Sequence, residues 1–306
     1  MKNLLTAILL TLFCTSAFAT ADNIYTRLNY PQPRLLDNDS RVWPAFVAYA
    51  SDGNGNVSPM SNGGIKANPV HLVGYTSAIG TSSVDVWEGS PSSSAYTFPT
   101  TGIQMGVVSS SSSDASTSTG AFTVNIQYLN TLGATGSENI QMNGTSLVKS
   151  VATNIYRINS FSVASAGSSA VTVGDIIIES VSGSATKTYA KIVAGRNKAR
   201  QAVYTVPLGQ TLYVSGFNAS AASSTPASNA SSGTSQVVDL NSTDSNGSTI
   251  AGVFSTKASV KLNGNSVVKK FEVPLVFPAG SDVKASAISG TTNSAEVLFG
   301  LEGWLE

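Results

Sequence analysis

The chain is poor in the residues that carry most protein chemistry. Of its 306 residues one is cysteine and one is histidine, and charged residues make up 11% against a usual share of about a quarter. The lone cysteine, Cys14, lies in an apolar run near the start. No internal disulfide, Cys-ligated zinc site or later thiol nucleophile can therefore form. His71 stands alone, which excludes a His-rich metal site and leaves one imidazole for any Ser-His-Asp arrangement. Lys plus Arg and Asp plus Glu are equal at 17 each, so the net charge is zero. Binding to nucleic acid needs clustered cations and is not expected. The nearest approach to a cluster is Lys191, Arg196, Lys198 and Arg200, which reads as a solvated linker between strands.

Catalytic signatures are missing too. The sequence has no Gly-x-Ser-x-Gly, no His-Glu-x-x-His and no phosphate-cradling glycine loop followed by Lys. Asp52, Asn54 and Asn56 have the spacing that opens a calcium loop, but Val57 stands where the tight-turn Gly belongs and Gly63 where the bidentate Glu belongs. Those residues read as a hairpin turn. The expectation is a non-enzyme with no catalytic, cofactor or metal residues, although two distant carboxylates converging in the fold, as in glycosidases, stay open. Trp43, Trp87 and Tyr96 are candidates for a sugar-stacking or subunit-contact surface. Core packing is the competing reading, because Trp87 follows Val84 and Val86 in a strand-like run.

What the sequence does have is apolar residues, 42% of the total, in a period of two. In Phe122-Thr123-Val124-Asn125-Ile126-Gln127-Tyr128 the apolar side chains share one face and the polar ones the other, as a half-buried strand requires. Similar runs cover 103–108, 139–142, 155–163, 175–181 and 189–193, then 201–206, 210–219, 236–240, 252–262, 267–277, 282–288 and 295–301. Between Ile158 and Phe161 the alternation slips by one residue, which predicts a bulge. Pro274 cannot donate to a ladder, so its strand is expected at an edge or a bulge. The tract from Ser220 to Ser235 reads as a long surface loop.

At the N-terminus Lys2 precedes an apolar stretch from Leu4 to Phe13 and then Ala17-Phe18-Ala19, the three parts of a secretory signal cleaved after Ala19. The alternative is an apolar arm that is kept and packs on a neighbouring subunit. The stretch is too short for a stable membrane span, which needs about 20 apolar residues. The expected organisation is all-β: residues 1–19 a signal peptide or apolar arm, 20–66 an irregular arm or cap holding one strand-like run from Val42 to Tyr49, 67–195 a first antiparallel β-sandwich, and 196–306 a second, Ig-like or jelly-roll in character.

Several segments carry a resemblance when taken in order. They are Val84-Asp85-Val86-Trp87-Glu88-Gly89, Tyr96-Thr97-Phe98-Pro99, Asn154-Ile155-Tyr156-Arg157-Ile158 within 145–163, Gly174-Asp175-Ile176, the run Ala202 to Tyr213, Gly252 to Lys257, and Phe271-Glu272-Val273-Pro274-Leu275. Over about residues 66 to 306 the chain resembles a group of tailed-bacteriophage virion structural proteins of the marine and cyanophage type. The resemblance implies a virion-surface role, as capsid decoration or a tail-associated component, in a homo-oligomer with a trimer among the options. It implies partners among capsid or tail proteins. The export-type segment departs from that pattern and keeps a second reading open: a secreted or surface-anchored bacterial adhesin, filament subunit or glycan-binding module.

Overall fold

The computed structural model describes residues 48–51, 57–60, 68–89, 95–181, 186–223, 235–243, 250, 252–263, 265–290 and 295–306. The chain divides into Met1–Phe46 and Val47–Glu306, and the described residues all belong to the second unit. Cys14, Trp43, the arm to residue 46 and the Asp52-Asn54-Asn56 turn lie outside them. Among the described residues there is no helix, hence none long and apolar enough to cross a membrane. The architecture is all-β and its sheets are antiparallel, as the period of two predicts.

Strands β1 (Ala48–Ser51) and β2 (Val57–Met60) form a hairpin. Next come β3 (Asn68–Ile79) and β4 (Val84–Asp85), which open the larger of two sandwiches. The chain then builds β5 (Met105–Ser109), β6 (Ala121–Asn130), β7 (Thr135–Gln141), β8 (Val148–Lys149), β9 (Ile155–Ala166), β10 (Ile176–Ser180) and β11 (Thr188–Ile192). It returns to the larger sandwich with β12 (Val203–Thr205), β13 (Leu212–Ser223), β14 (Gln236–Thr243), β15 (Phe254–Leu262), β16 (Ser266–Phe277), β17 (Asp282–Ser289) and β18 (Ala295–Leu305).

The larger sandwich pairs a sheet in the order β16-β13-β18-β3 with a second in the order β12-β17-β14-β15. In the second, β12 and β4 share one edge of β17, β12 opposite residues 282–284 and β4 opposite 286–287. Inward side chains of both sheets form one apolar cluster from Val70 to Val86 and from Ala202 to Leu305. Phe217 and Phe299 stack in it with ring centroids 5.4 Å apart. The inserted sandwich pairs β11-β10-β5-β8 with β7-β6-β9 around a separate cluster that includes Met105, Val124, Ile126, Ile155, Phe161 and Ile178.

Strand pairing crosses the expected division at 195/196. Strand β3 is hydrogen-bonded to β18, with Leu72 opposite Leu301, and β4 to β17. Residues 68–86 thus share a core with 202–305, and the strands from 105 to 192 are an insertion between β4 and β12. Alternation reports which face of a strand is buried, whereas the partner of β3 lies over 200 residues away and leaves no mark on that periodicity.

Two irregularities fall where the sequence signals them. Gln127 pairs with Ser160 and Tyr128 with Ile158, so Asn159 is an extra residue in β9. Strand β16 is an edge strand whose register against β13 shifts between Val214 and Gly216, opposite the stretch that holds Pro274.

Candidate functional site

The bulge at Asn159 positions the seam between the sandwiches. Because the extra residue interrupts the ladder, its amide is free to leave it, and the Asn159 Nδ2 donates to the Thr205 carbonyl at 2.8 Å. Its Oδ1 accepts from the Thr205 N–H at 2.9 Å. The side chain thereby mimics one residue of a strand alongside β12.

Beside this seam a groove of about 810 Å³ opens between the sandwiches. One wall is Pro69 to Val73 of β3, the other Asn159 to Phe161 of β9 with residues 195–201. Five consecutive residues of one strand line it. Since successive side chains point to opposite faces, a groove touching all five runs along the strand's edge. A second hollow of about 490 Å³ adjoins it, and Gln127, Asn159, Tyr204 and Leu305 line both.

The four basic residues of the expected linker separate in space. Lys191 pairs with Asp175 at 2.7 Å. Arg200 donates from Nε to Glu88 Oε1 at 2.8 Å and from Nη2 to the same oxygen, while its guanidinium lies 3.9 Å from the centroid of the Tyr75 ring. Arg196 Nε is 3.7 Å from Glu88 and its side chain is half exposed. Lys198 is exposed and has no ion pair among the described residues. Arg196, Lys198 and Arg200 all line the groove, as does the exposed His71. Lining it too, Gln201 donates to the Ile158 carbonyl at 3.2 Å, and its buried Oε1 has no donor among the described residues.

The aromatic candidates go elsewhere. Trp87 and Tyr96 are buried and meet edge to face at 5.1 Å, with Phe98 next at 4.8 Å, so they pack a small core and offer no stacking surface. Burial raises the Tyr96 phenol far above its usual range, and that of Tyr204 to about 12.

Buried carboxylates are where general acid-base chemistry would be sought, and here their oxygens face donors of the fold. Asp85 accepts from the Tyr96 N–H at 2.6 Å and from Lys284 Nζ at 2.9 Å. Asp114 accepts from the Ser109 hydroxyl at 2.6 Å and from the N–H groups of Ala121, Val173 and Gly174 at 2.8 to 2.9 Å. Burial alone would raise the Asp114 pKa, but these four donors together hold it below the usual carboxylate range. Asp282 accepts from Arg157 and the Thr205 hydroxyl. No group of three or more His, Cys, Asp or Glu side chains able to hold a metal occurs among the described residues. The run near residue 196, expected as a solvated linker, forms the wall of the groove opposite the β3 edge.

No family model matches the chain, and no curated protein matches it. Among solved structures it has weak neighbours in virus particles. The structure of the infectious bursal disease virus Gt strain matches at 11% identity over 79% of this chain and 72% of that one, with a TM-score of 0.19. The Gx strain matches at 9% over 81% and 80%, with a TM-score of 0.18. The T=1 particles derived from the same virus match at 11% over 79% and 77%, also at 0.18. Likeness at this level carries no functional argument.

Proposed function

We propose that the protein is a non-enzymatic structural component of a virion, decorating the capsid or associated with the tail, which self-associates through its β domains. The observation that supports this reading is the use made of buried charge. Asp85, Asp114, Asp282 and Glu88 each bind donors that tie one segment of the fold to another, which serves rigidity and leaves these acids no free base function. The resemblance of residues 66–306 to phage virion proteins points the same way. The test is fractionation of particles from the producing host by density gradient, with mass spectrometry of each band. Co-migration with capsid or tail proteins at a fixed stoichiometry is the expected result, and a protein found only outside the particles overturns it.

A second reading, a secreted bacterial surface protein, is favoured by Lys2, the apolar stretch to Phe13 and Ala17-Phe18-Ala19. Intact mass of the native protein separates the two. A first residue of Thr20 in particle-free protein supports secretion, and a chain that retains Met1 to Ala19 inside particles supports the virion reading.

A further inference from the structure

We infer that the free edge of β3 is a docking site for an extended, carboxylate-bearing peptide segment of a partner protein, which joins the sheet as an additional strand. On one side β3 is hydrogen-bonded along its length to β18. On the other, no backbone-to-backbone hydrogen bond engages residues 68–79 among the described residues. Such an edge presents N–H and C=O groups at the strand repeat, which another strand matches and a sugar or a globular surface does not. The groove keeps that edge open over Pro69 to Val73. Five or six residues of extended chain, at roughly 3.3 Å each, fit its length.

The opposite edge of the same sheet is guarded. Strand β16 carries Lys269 and Lys270, contains Pro274 and is bulged, all devices that discourage strand addition. Strand β3 has Pro69 at one end of the groove and no such guard from Val70 to Val73.

Charge selects the partner. Arg196 and Arg200 share the single carboxylate of Glu88, so together with Lys198 the wall facing β3 keeps an excess of positive charge, and His71 lies on the strand itself. The carboxylate nearest in register, Glu302, lies beyond β3 on β18, opposite His71. A strand laid in the groove turns alternate side chains toward the cations, so acidic residues at every second position are favoured over basic ones. The inference is independent of the particle reading, since a virion protein and a surface protein could both use this edge.

The test uses the full chain and a fluorescent peptide, acetyl-Thr-Asp-Val-Asp-Val-Asp-Thr-amide, followed by anisotropy and by amide hydrogen exchange. Expected are saturable binding, slowed exchange at Val70 to Val73, roughly fivefold weaker binding to Lys198→Glu, and none by a peptide with Pro at the central position. Lys198 is exposed, so its substitution leaves folding intact. Absence of binding at millimolar peptide overturns the proposal. So does binding that is indifferent to the central Pro and to Lys198→Glu. If dextran sulfate displaces the peptide and binds as tightly without slowing the β3 amides, the groove is a polyanion site and strand addition is wrong.

Discussion

Arg157 on β9 and Asp282 on β17 form a two-point ion pair across the seam of the two sandwiches, with Nε to Oδ1 and Nη2 to Oδ2 both at 2.9 Å. The side chains are 6% and 5% exposed, and 125 residues separate them in sequence. Arg157 also donates to the carbonyls of Pro99 and Tyr156, and its guanidinium lies 4.0 Å from the Tyr156 ring centroid. Burial opposes its charge, but Asp282 overcomes this and raises the Arg157 pKa further. The inserted sandwich is therefore held to the larger one by a dry, directional contact as well as by chain connections.

Removing one partner of that pair strands the other charge in a low-dielectric site. Asp282→Leu is expected to lose about 3–5 kcal/mol, and Arg157→Met a similar amount. The double change Arg157→Met with Asp282→Leu should lose much less than the two losses added together, because no bare charge remains. Urea unfolding of the four proteins measures this. Additive losses would show that the two side chains are not coupled.

Asp114 gives a pH dependence whose sign is fixed by its environment. Its folded pKa is lowered, so the unfolded chain takes up a proton first as pH falls. The stability it contributes is present above the unfolded value of about 3.9 and is lost as pH drops through the lower folded value. Asp114→Asn replaces one acceptor oxygen by a donor facing the N–H groups of Val173, Gly174 or Ala121, at a cost of about 2–3 kcal/mol at pH 7. The gap between the two proteins in urea titrations should narrow from pH 5 toward pH 2. A gap that is constant over that range would mean that Asp114 has the same pKa folded and unfolded, so that the four donors do not favour its charged form.

Much of the fold is legible in the sequence because a strand with one buried face writes its own period. Phe122 to Tyr128 and Val267 to Phe277 are found as strands, and the slip between Ile158 and Phe161 marks the extra residue at Asn159. Strand β3 is absent from the runs read in the sequence, since Pro69, Gly74 and the exposed apolar Val73 blur the alternation that buried Val70, Leu72 and Thr76 carry. The groove was not legible at all. Its two walls come from residues near 70 and near 198, and only the pairing of β3 with β18 brings them together. The partner choice that made Arg157 an ion-pair residue is invisible for the same reason.

Asn159 tests whether the bulge is a device or an accident. Asn159→Ala keeps the backbone path but leaves both the N–H and the carbonyl of Thr205 without their side-chain partners. A loss of about 1–3 kcal/mol is expected, with the amide of Thr205 exchanging faster while the amides of β10 keep their protection. If Thr205 exchange is unchanged, the β12 backbone is held by β17 alone.

Gly74 marks where the larger sandwich closes over the point at which the chain leaves it and returns. Val86 donates to the Ala285 carbonyl, Ala202 to that of Val86 and Ala285 to that of Ala202, each at 2.9 Å, which makes a tight backbone seam. Gly74, opposite Phe299 on β18, lies directly against it. A Cβ at residue 74 would sit 2.5 Å from Ala202 Cβ, 2.6 Å from the Val86 carbonyl oxygen and 2.7 Å from Ala202 N. Two of those three atoms are backbone and already hydrogen-bonded, so β3 must move off the seam. Gly74→Ala should lose about 1–3 kcal/mol, whereas Gly80→Ala, with nothing within 4 Å of its new carbon, should be close to neutral. Adding Ala202→Gly to Gly74→Ala relieves only the Cβ contact and should restore only part of the loss. Full restoration in thermal unfolding would place the clash in that methyl group and leave the backbone seam free to yield.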